Sequence, residues 1–203
     1  MTFFDYFQIG TVAICVLIVV GKAAYLRFRT GVNLIAIGRG KRGLRRVIEL
    51  ISFGGFLVWI AEILSYAVHS SNRILPSQFH LHLSDYIASK CVGIALILPG
   101  LVIFALAFVA FGQSWRIGLD LRTPGTLVTT GIFAVSRNPI YVFLDLWFIG
   151  TFLINGTRFF FIFALLAICA MHWQILQEEQ FLRELYGKPY AEYRARTARY
   201  LVW

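Results

Sequence analysis

This sequence predicts an all-α integral membrane protein, and three observations carry the prediction. Of its 203 residues, 59% are hydrophobic and only 14% charged, against roughly 25% charged in an ordinary soluble domain. The apolar residues gather into long runs. The basic residues gather between those runs, mostly in alternate connections. An apolar surplus this large cannot be buried in one small core, so hydrocarbon is its natural solvent.

The runs fall at residues 9–28, 47–68, 91–111, 139–154 and 159–175, which predicts about five transmembrane helices. The first three are long enough to cross about 30 Å of hydrocarbon as helices. Only Asp5 precedes the first run, and no small-residue cleavage site follows it. It therefore reads as a retained span rather than a signal peptide. The fourth and fifth runs are separated only by Asn155-Gly156-Thr157-Arg158, which predicts a tight antiparallel hairpin. Past His172 the fifth run turns amphipathic, with Glu179 and Arg183 spaced in the favourable acid-before-base order. One helix from near Thr157 to Tyr186 would then project beyond the bilayer. Gly187 and Pro189 stop it, and the basic, aromatic stretch "YAEYRARTARYLVW" completes a cytoplasmic C-terminal helical extension. By organisation, residues 1–110 are three spans with a basic connection. Residues 111–203 are two spans with the C-terminal segment, and they hold the chemistry.

Charge gives the orientation. The first connection carries Arg27, Arg29, Arg39, Lys41, Arg42, Arg45 and Arg46. On the same side lie Arg116, Arg122 and Arg137, and then Arg183, Lys188, Arg194, Arg196 and Arg199. The other side has only Arg73, Lys90 and Arg158. The positive-inside rule places the N-terminus outside and the C-terminus in the cytoplasm. The net charge of +9 is thereby spent on topology and anionic headgroups, and a nucleic-acid partner is not expected. Cys15, Cys91 and Cys169 all fall within spans, as small apolar residues. His80 and His82, with His69 nearby, read as a polar outer loop, because a metal site needs three or four ligands in defined geometry. Glu62 and Asp145 lie at membrane depth, where a charge is costly. They are candidates to line a cavity or to pair with Lys22.

The unusual polar residues collect in the last part of the chain: Gln113, Trp115, Arg137, Asn138, Tyr141, Glu178, Glu179, Tyr186, Tyr190, Tyr193, Arg196 and Arg199. A zwitterionic, nucleotide-like cofactor requires such a set. Aromatic faces stack a base or hold a cation, carboxylates accept from hydroxyls or an ammonium, and arginines fork onto a carboxylate. The same residues also suit an interfacial aromatic belt or a lipid-docking terminal helix.

The stretches "FGQSWRIGLDLRTPGTLVTTGIFAVSRNPIYV" and "QEEQFLRELYGKPYAEYRARTARYL" resemble the isoprenylcysteine carboxyl methyltransferase and phospholipid methyltransferase superfamily. The pieces are a Gly-x-x-Trp turn, Leu-Val-x-x-Gly-x-Phe, Arg-Asn-Pro-x-Tyr, a Glu-Glu pair, Tyr-Gly-x-x-Tyr-x-x-Tyr and a closing arginine, all in order. The resemblance implies S-adenosyl-L-methionine bound at the cytoplasmic face and a lipophilic small molecule or lipid entering from the bilayer. Arg137, Asn138, Pro139 and Tyr141 would form the near wall of the cofactor site. Glu178 and Glu179 would face the cofactor's polar parts, and Tyr190, Tyr193 and Arg199 would close over it. A helix N-terminus at Pro139 would favour the cofactor's carboxylate, with Arg137 adding a full charge. The plain structural alternative is that Arg137 snorkels at the interface and Asn138 caps the helix. Asn138 departs from the pattern, because many relatives carry histidine there, and asparagine cannot ionise near neutral pH.

For the reaction itself, Arg196 or Arg199 would hold an anionic acceptor, and Glu178 would serve as base for an acceptor that has a proton to lose. His172 is the one histidine near the site, which favours an acceptor that arrives deprotonated. Two rival readings stand beside the methyltransferase. One is an NADPH-dependent membrane reductase of the sterol or steroid type. The other is a non-enzymatic protein whose terminal helix docks lipid or a partner.

Overall fold

A computed structural model describes residues 1–30, 44–71, 73–112 and 126–201. Arg39, Lys41, Arg42, Gln113, Trp115, Arg116 and Arg122 lie outside the described residues. Among the described residues six helices follow one another: α1 (Phe3–Thr30), α2 (Leu44–Ala67), α3 (Ile87–Phe111), α4 (Pro139–Asn155), α5 (Arg158–Tyr186) and α6 (Lys188–Arg196). Short 3₁₀ turns occur at Ser77–His80 and Gly131–Ala134. Among the described residues there is no strand, only isolated bridges. α1, most of α2, α3 and α5 are long and apolar enough to cross a membrane, and α4 is a shorter apolar helix. Their outward side chains are apolar, as lipid requires: Leu17 is 71% exposed, Phe28 90% and Val109 78%.

Contacts divide the chain into two compact units. In the first, Met1–Leu81, α1 and α2 pack on each other. Side-chain hydrogen bonds tie down their ends. Asp5 accepts from the backbone N–H of Thr2 and pairs with His69 at 2.9 Å. His80 donates from Nε2 to the Leu75 carbonyl (2.9 Å), so in the neutral ring its Nδ1 accepts from the Tyr66 hydroxyl (2.8 Å). Arg73 lies 3.9 Å over the Tyr66 ring. His69 and His80 are thus loop anchors. Glu62 is fully buried, and among the described residues neither of its oxygens has a hydrogen-bond partner.

The second unit holds α3 to α6, and its spine is the α3–α4 contact. Gly93 and Gly150 bring the two backbones together. A Cβ added at Gly150 would lie 2.5 Å from Ile97 Cγ1 and 2.7 Å from the Gly93 carbonyl oxygen. Small residues allow this approach, which lipid-embedded helices depend on because apolar side chains gain little by leaving lipid for one another. Phe104 stacks on Phe143 (centroids 4.4 Å) and Phe143 on Trp147 (5.2 Å), extending the seam along α4. At the far end the Gly156 carbonyl accepts from the N–H groups of Leu83 (2.6 Å) and Ser84 (3.2 Å), locking the start of α3 against the α4–α5 turn. That turn makes the expected hairpin.

The two arms of the hairpin differ in length. α4 has 17 residues, about 25 Å at helical rise, whereas α5 has 29, about 43 Å. From their common turn, α4 falls short of a 30 Å hydrocarbon layer and α5 overshoots it. The last turns of α5 therefore have no α4 beside them. Gly187, at φ +55° and ψ −123°, supplies the backbone conformation that reverses the chain there. Pro189 then starts α6 in the first turn, where its missing N–H costs nothing.

Gly150→Ala tests the spine. It should overpack the α3–α4 seam and lower stability by about 2 kcal/mol, read as a lower unfolding temperature in detergent. Gly54→Ala, where nothing lies within 4 Å, should leave it nearly unchanged.

Candidate functional site

The chain enters α4 through Ser136, Arg137 and Asn138, and residues 197–199 return beside them. Ser136 and Ala198 form a parallel bridge, and the Arg137 N–H donates to the Ala198 carbonyl at 2.9 Å. The Ser136 hydroxyl accepts from the Asn138 N–H (3.1 Å) and donates to the Arg199 carbonyl (3.3 Å). Asn138 is the N-cap residue of α4, but its side chain caps nothing. Its amide donates instead to the Arg199 carbonyl at 3.2 Å. An ionisable imidazole is not needed for this role, and asparagine supplies the donor.

Glu179 lies at the centre of the constellation. Its Oε1 accepts from Arg137 Nε (3.2 Å) and Nη2 (2.8 Å) and from Arg199 Nε (3.1 Å). Its Oε2 accepts from Arg199 Nη2 (3.0 Å). Side-chain exposure is 2% for Glu179, 7% for Arg137 and 30% for Arg199. Arg137 Nη1 donates further to the carbonyls of Thr197 (2.6 Å) and Arg194 (3.1 Å). Arg137 is therefore buried rather than snorkelling, and each of its guanidinium nitrogens is engaged within the protein. The bond to Glu179 raises the Arg199 guanidinium further above its ordinary value, with burial opposing.

Around this core the remaining expected residues take distinct places. Tyr141 donates to Glu178 Oε1 at 2.7 Å, and Gln174 reaches the same oxygen at 3.4 Å. Tyr193 donates to the Phe133 carbonyl at 2.7 Å, and burial pushes its hydroxyl well above the usual tyrosine range. Tyr190 is 1% exposed, and its buried hydroxyl has no hydrogen-bond partner among the described residues. Burial, then the Glu179 charge, raises it too. Pro139 is buried at the first turn of α4. Arg196 stands apart and exposed at the end of α6.

Next to these residues an open cleft of about 540 Å³ is lined by Asp145, Ile168, Cys169, His172 and Tyr200. Asp145 lines a cavity, one of its two expected fates. His172 Nδ1 and the Tyr200 hydroxyl are 2.6 Å apart, and their rings stack at 6.2 Å. Sequence reasoning did not place Tyr200 and Cys169 here. Tyr200 was legible only as one more aromatic in the tail, and Cys169 as one more small apolar residue in a span. The backbone carbonyls of Arg194, Thr197, Ala198 and Arg199, which do much of the holding, carry no sequence signal at all.

A sequence model of the phospholipid methyltransferase family matches residues 88–189, half of the chain, from the start of α3 to the first turn of α6. Two curated relatives are similar over a comparable region. They are named as probable protein-S-isoprenylcysteine O-methyltransferases, one from Oryza sativa subsp. indica and one from Oryza sativa subsp. japonica. Each is 30% identical over 114 residues, which is 55% of this chain and 60% of the relative. The chain thus matches well under two thirds of these relatives' length.

Two outcomes follow from the geometry. Glu179→Ala, which leaves Arg137 buried without its partner, should cost about 3 kcal/mol. It should release the segment after Gly187 to protease while α1 to α4 stay protected. Tyr193 must keep its proton to donate to Phe133. Its contribution is complete below pH 10.0, the ordinary tyrosine value, and is lost as pH climbs through the raised folded value. Alkaline unfolding of the wild type should therefore steepen above that pH, and Tyr193→Phe should flatten it.

Proposed function

The chain belongs to the phospholipid methyltransferase family, and from that premise we propose that it is an integral membrane methyltransferase. It moves a methyl group from S-adenosyl-L-methionine to a lipophilic acceptor, of the isoprenylcysteine type or another small hydrophobic molecule. The site is where α4 begins and α5 overshoots it, on the cytoplasmic face by the distribution of basic residues. The N-terminus is then outside.

The observation that carries this reading is the juxtaposition of a braced polar constellation with a cleft lined partly by apolar side chains. A donor that is zwitterionic and nucleoside-like needs hydroxyl, carboxylate and aromatic groups held in place. An acceptor that arrives from lipid needs a sideways apolar entry. The residues present fit the donor. Tyr190 has a buried hydroxyl with no partner among the described residues, a group whose desolvation asks for a ligand atom. Glu178 is half-buried and fixed by Tyr141, which suits it to a ribose hydroxyl or an ammonium. Tyr141, Glu178, Tyr190 and Tyr193 would hold the donor, with Asn138 and Pro139 as the adjoining wall. Arg137, Glu179 and Arg199 brace that wall and position the others. Arg196 is the basic group left for an anionic part of either ligand.

When bound, the donor supplies an electrophilic methyl group on a sulfonium. The protein's share is to align acceptor and donor and to exclude water. Positioning alone is worth many orders of magnitude in such a displacement. The overhanging end of α5 and the returning tail form the cover that excludes water.

Calorimetric titration of the detergent-purified protein with S-adenosyl-L-methionine and, separately, with NADPH tests the proposal. We expect micromolar binding of the first alone. Glu178→Ala should weaken it about tenfold, equivalent to about 1.4 kcal/mol, and Tyr190→Phe should weaken it less. Binding of NADPH instead would assign the protein to the membrane reductases. Binding of neither by folded protein would leave the constellation as an interfacial anchor.

A further inference from the structure

We propose that the outward face of α6 binds the anionic lipid headgroups of the leaflet on its own side of the membrane, chiefly through Lys188 and Arg194. The lipid surface then holds α6 down over the constellation beneath it.

The depth of α6 follows from helix lengths. Measured from the turn it shares with α4, α5 ends about 13 Å beyond a hydrocarbon layer of roughly 30 Å. The chain reverses at Gly187, and α6 has 9 residues, about 13 Å of helix. Its far end is tied back to the entrance of α4, where Arg137 Nη1 donates to the carbonyls of Arg194 and Thr197. That entrance lies near the edge of the hydrocarbon. Between the two levels α6 crosses the headgroup layer, which is about 5 to 7 Å thick on each side.

The charge of this face has the matching sign. Tyr190 and Tyr193 are the buried residues of α6, and its charged side chains lie outside. Arg183, Lys188, Arg194 and Arg196 are exposed in this stretch, against the acids Glu184 and Glu192. Glu192 lies 3.9 Å from Lys188, at side-chain exposures of 66% and 88%, and so solvated a pair neutralises little. Glu184 accepts from Gln180 on its own helix. The face is basic on balance, at a depth where each lysine or arginine gains from a negative leaflet. Leu201, 46% exposed where the tail reaches α4, offers an apolar contact to the acyl chains just below. An acidic protein partner would instead have to approach from the water, beyond the end of α5.

Because α6 carries Tyr190 and Tyr193 on its inner side, membrane charge also regulates donor binding, a consequence that rests on the reading above. Hydrogen exchange tests the lipid contact itself, without any donor. The full chain is placed in nanodiscs of phosphatidylcholine alone, or of phosphatidylcholine mixed with phosphatidylglycerol, at low salt. The amides of α6 should exchange at least about fivefold more slowly in the anionic discs, and high salt should erase the difference. Lys188→Gln combined with Arg194→Gln should erase it too, with the unfolding temperature in detergent unchanged. Arg196 is kept, since the reading above gives it a ligand. Inorganic phosphate or a soluble acidic peptide, added to phosphatidylcholine discs, should protect nothing. Equal exchange in both discs, a difference that survives the double substitution, or equal protection by phosphate or peptide would each overturn the proposal. S-adenosyl-L-methionine should bind more tightly in the anionic discs, and equal affinity in both would overturn the regulation. If it binds in neither, the donor reading falls, while exchange still decides the lipid contact.

Discussion

One buried carboxylate organises the second unit. Glu179 draws Arg137 from the entrance of α4 and Arg199 from the returning tail into contact around two oxygen atoms. Burying three charges is costly in isolation. The geometry offsets the cost with a bidentate contact from Arg199, two bonds from Arg137 to a single oxygen, and backbone carbonyls taking the rest of Arg137. With Glu179 in place, the Tyr141–Glu178 bond, the Ser136–Ala198 bridge and the Asn138–Arg199 bond all lie within the same short stretch of structure. Without it, the two arginines would face each other with no carboxylate between them.

The membrane sets where this arrangement can exist. A hairpin with arms of equal length would bring both helix ends out at the headgroups and leave no sheltered space between them. Here α4 stops early, so its first turn and the polar residues around it lie below the end of α5. The overhang is amphipathic because one side faces water while the other is covered by the tail. In the proposed function, donor and acceptor approach from opposite sides, one from the aqueous phase and one from lipid.

Much of this was legible in the sequence because it depends on periodicity and punctuation. The apolar runs, the tight turn at Gly156, the length of α5 and its stop at Gly187 and Pro189 are all one-dimensional signals. The resemblance carried by Arg-Asn-Pro-x-Tyr, the Glu-Glu pair and the tyrosine run pointed to the region the structure gathers together. Which residue does what was not legible. Arg137 was legible as a charge at the entrance of α4, but its bond to Glu179 was not, because that partner lies 42 residues away and pairing across that distance leaves no spacing rule. The close approach of α3 and α4 falls at Gly93 and Gly150, two glycines that never stand together in the chain. Asp145 was visible as an oddity, but the cleft it lines depends on Tyr200, brought in by the tail's return.

The Gly93–Gly150 contact has a dynamic consequence. Two backbones touching through a missing side chain have no rotamers with which to absorb a displacement. α3 and α4 should therefore move as one rigid piece on the timescale of ligand exchange. Breathing of the site is left to the α5 side and to the tail, whose contacts are made by side chains that can swing and re-form. In mechanical terms α3 and α4 are the stator, and the gate is whatever the arginines let go.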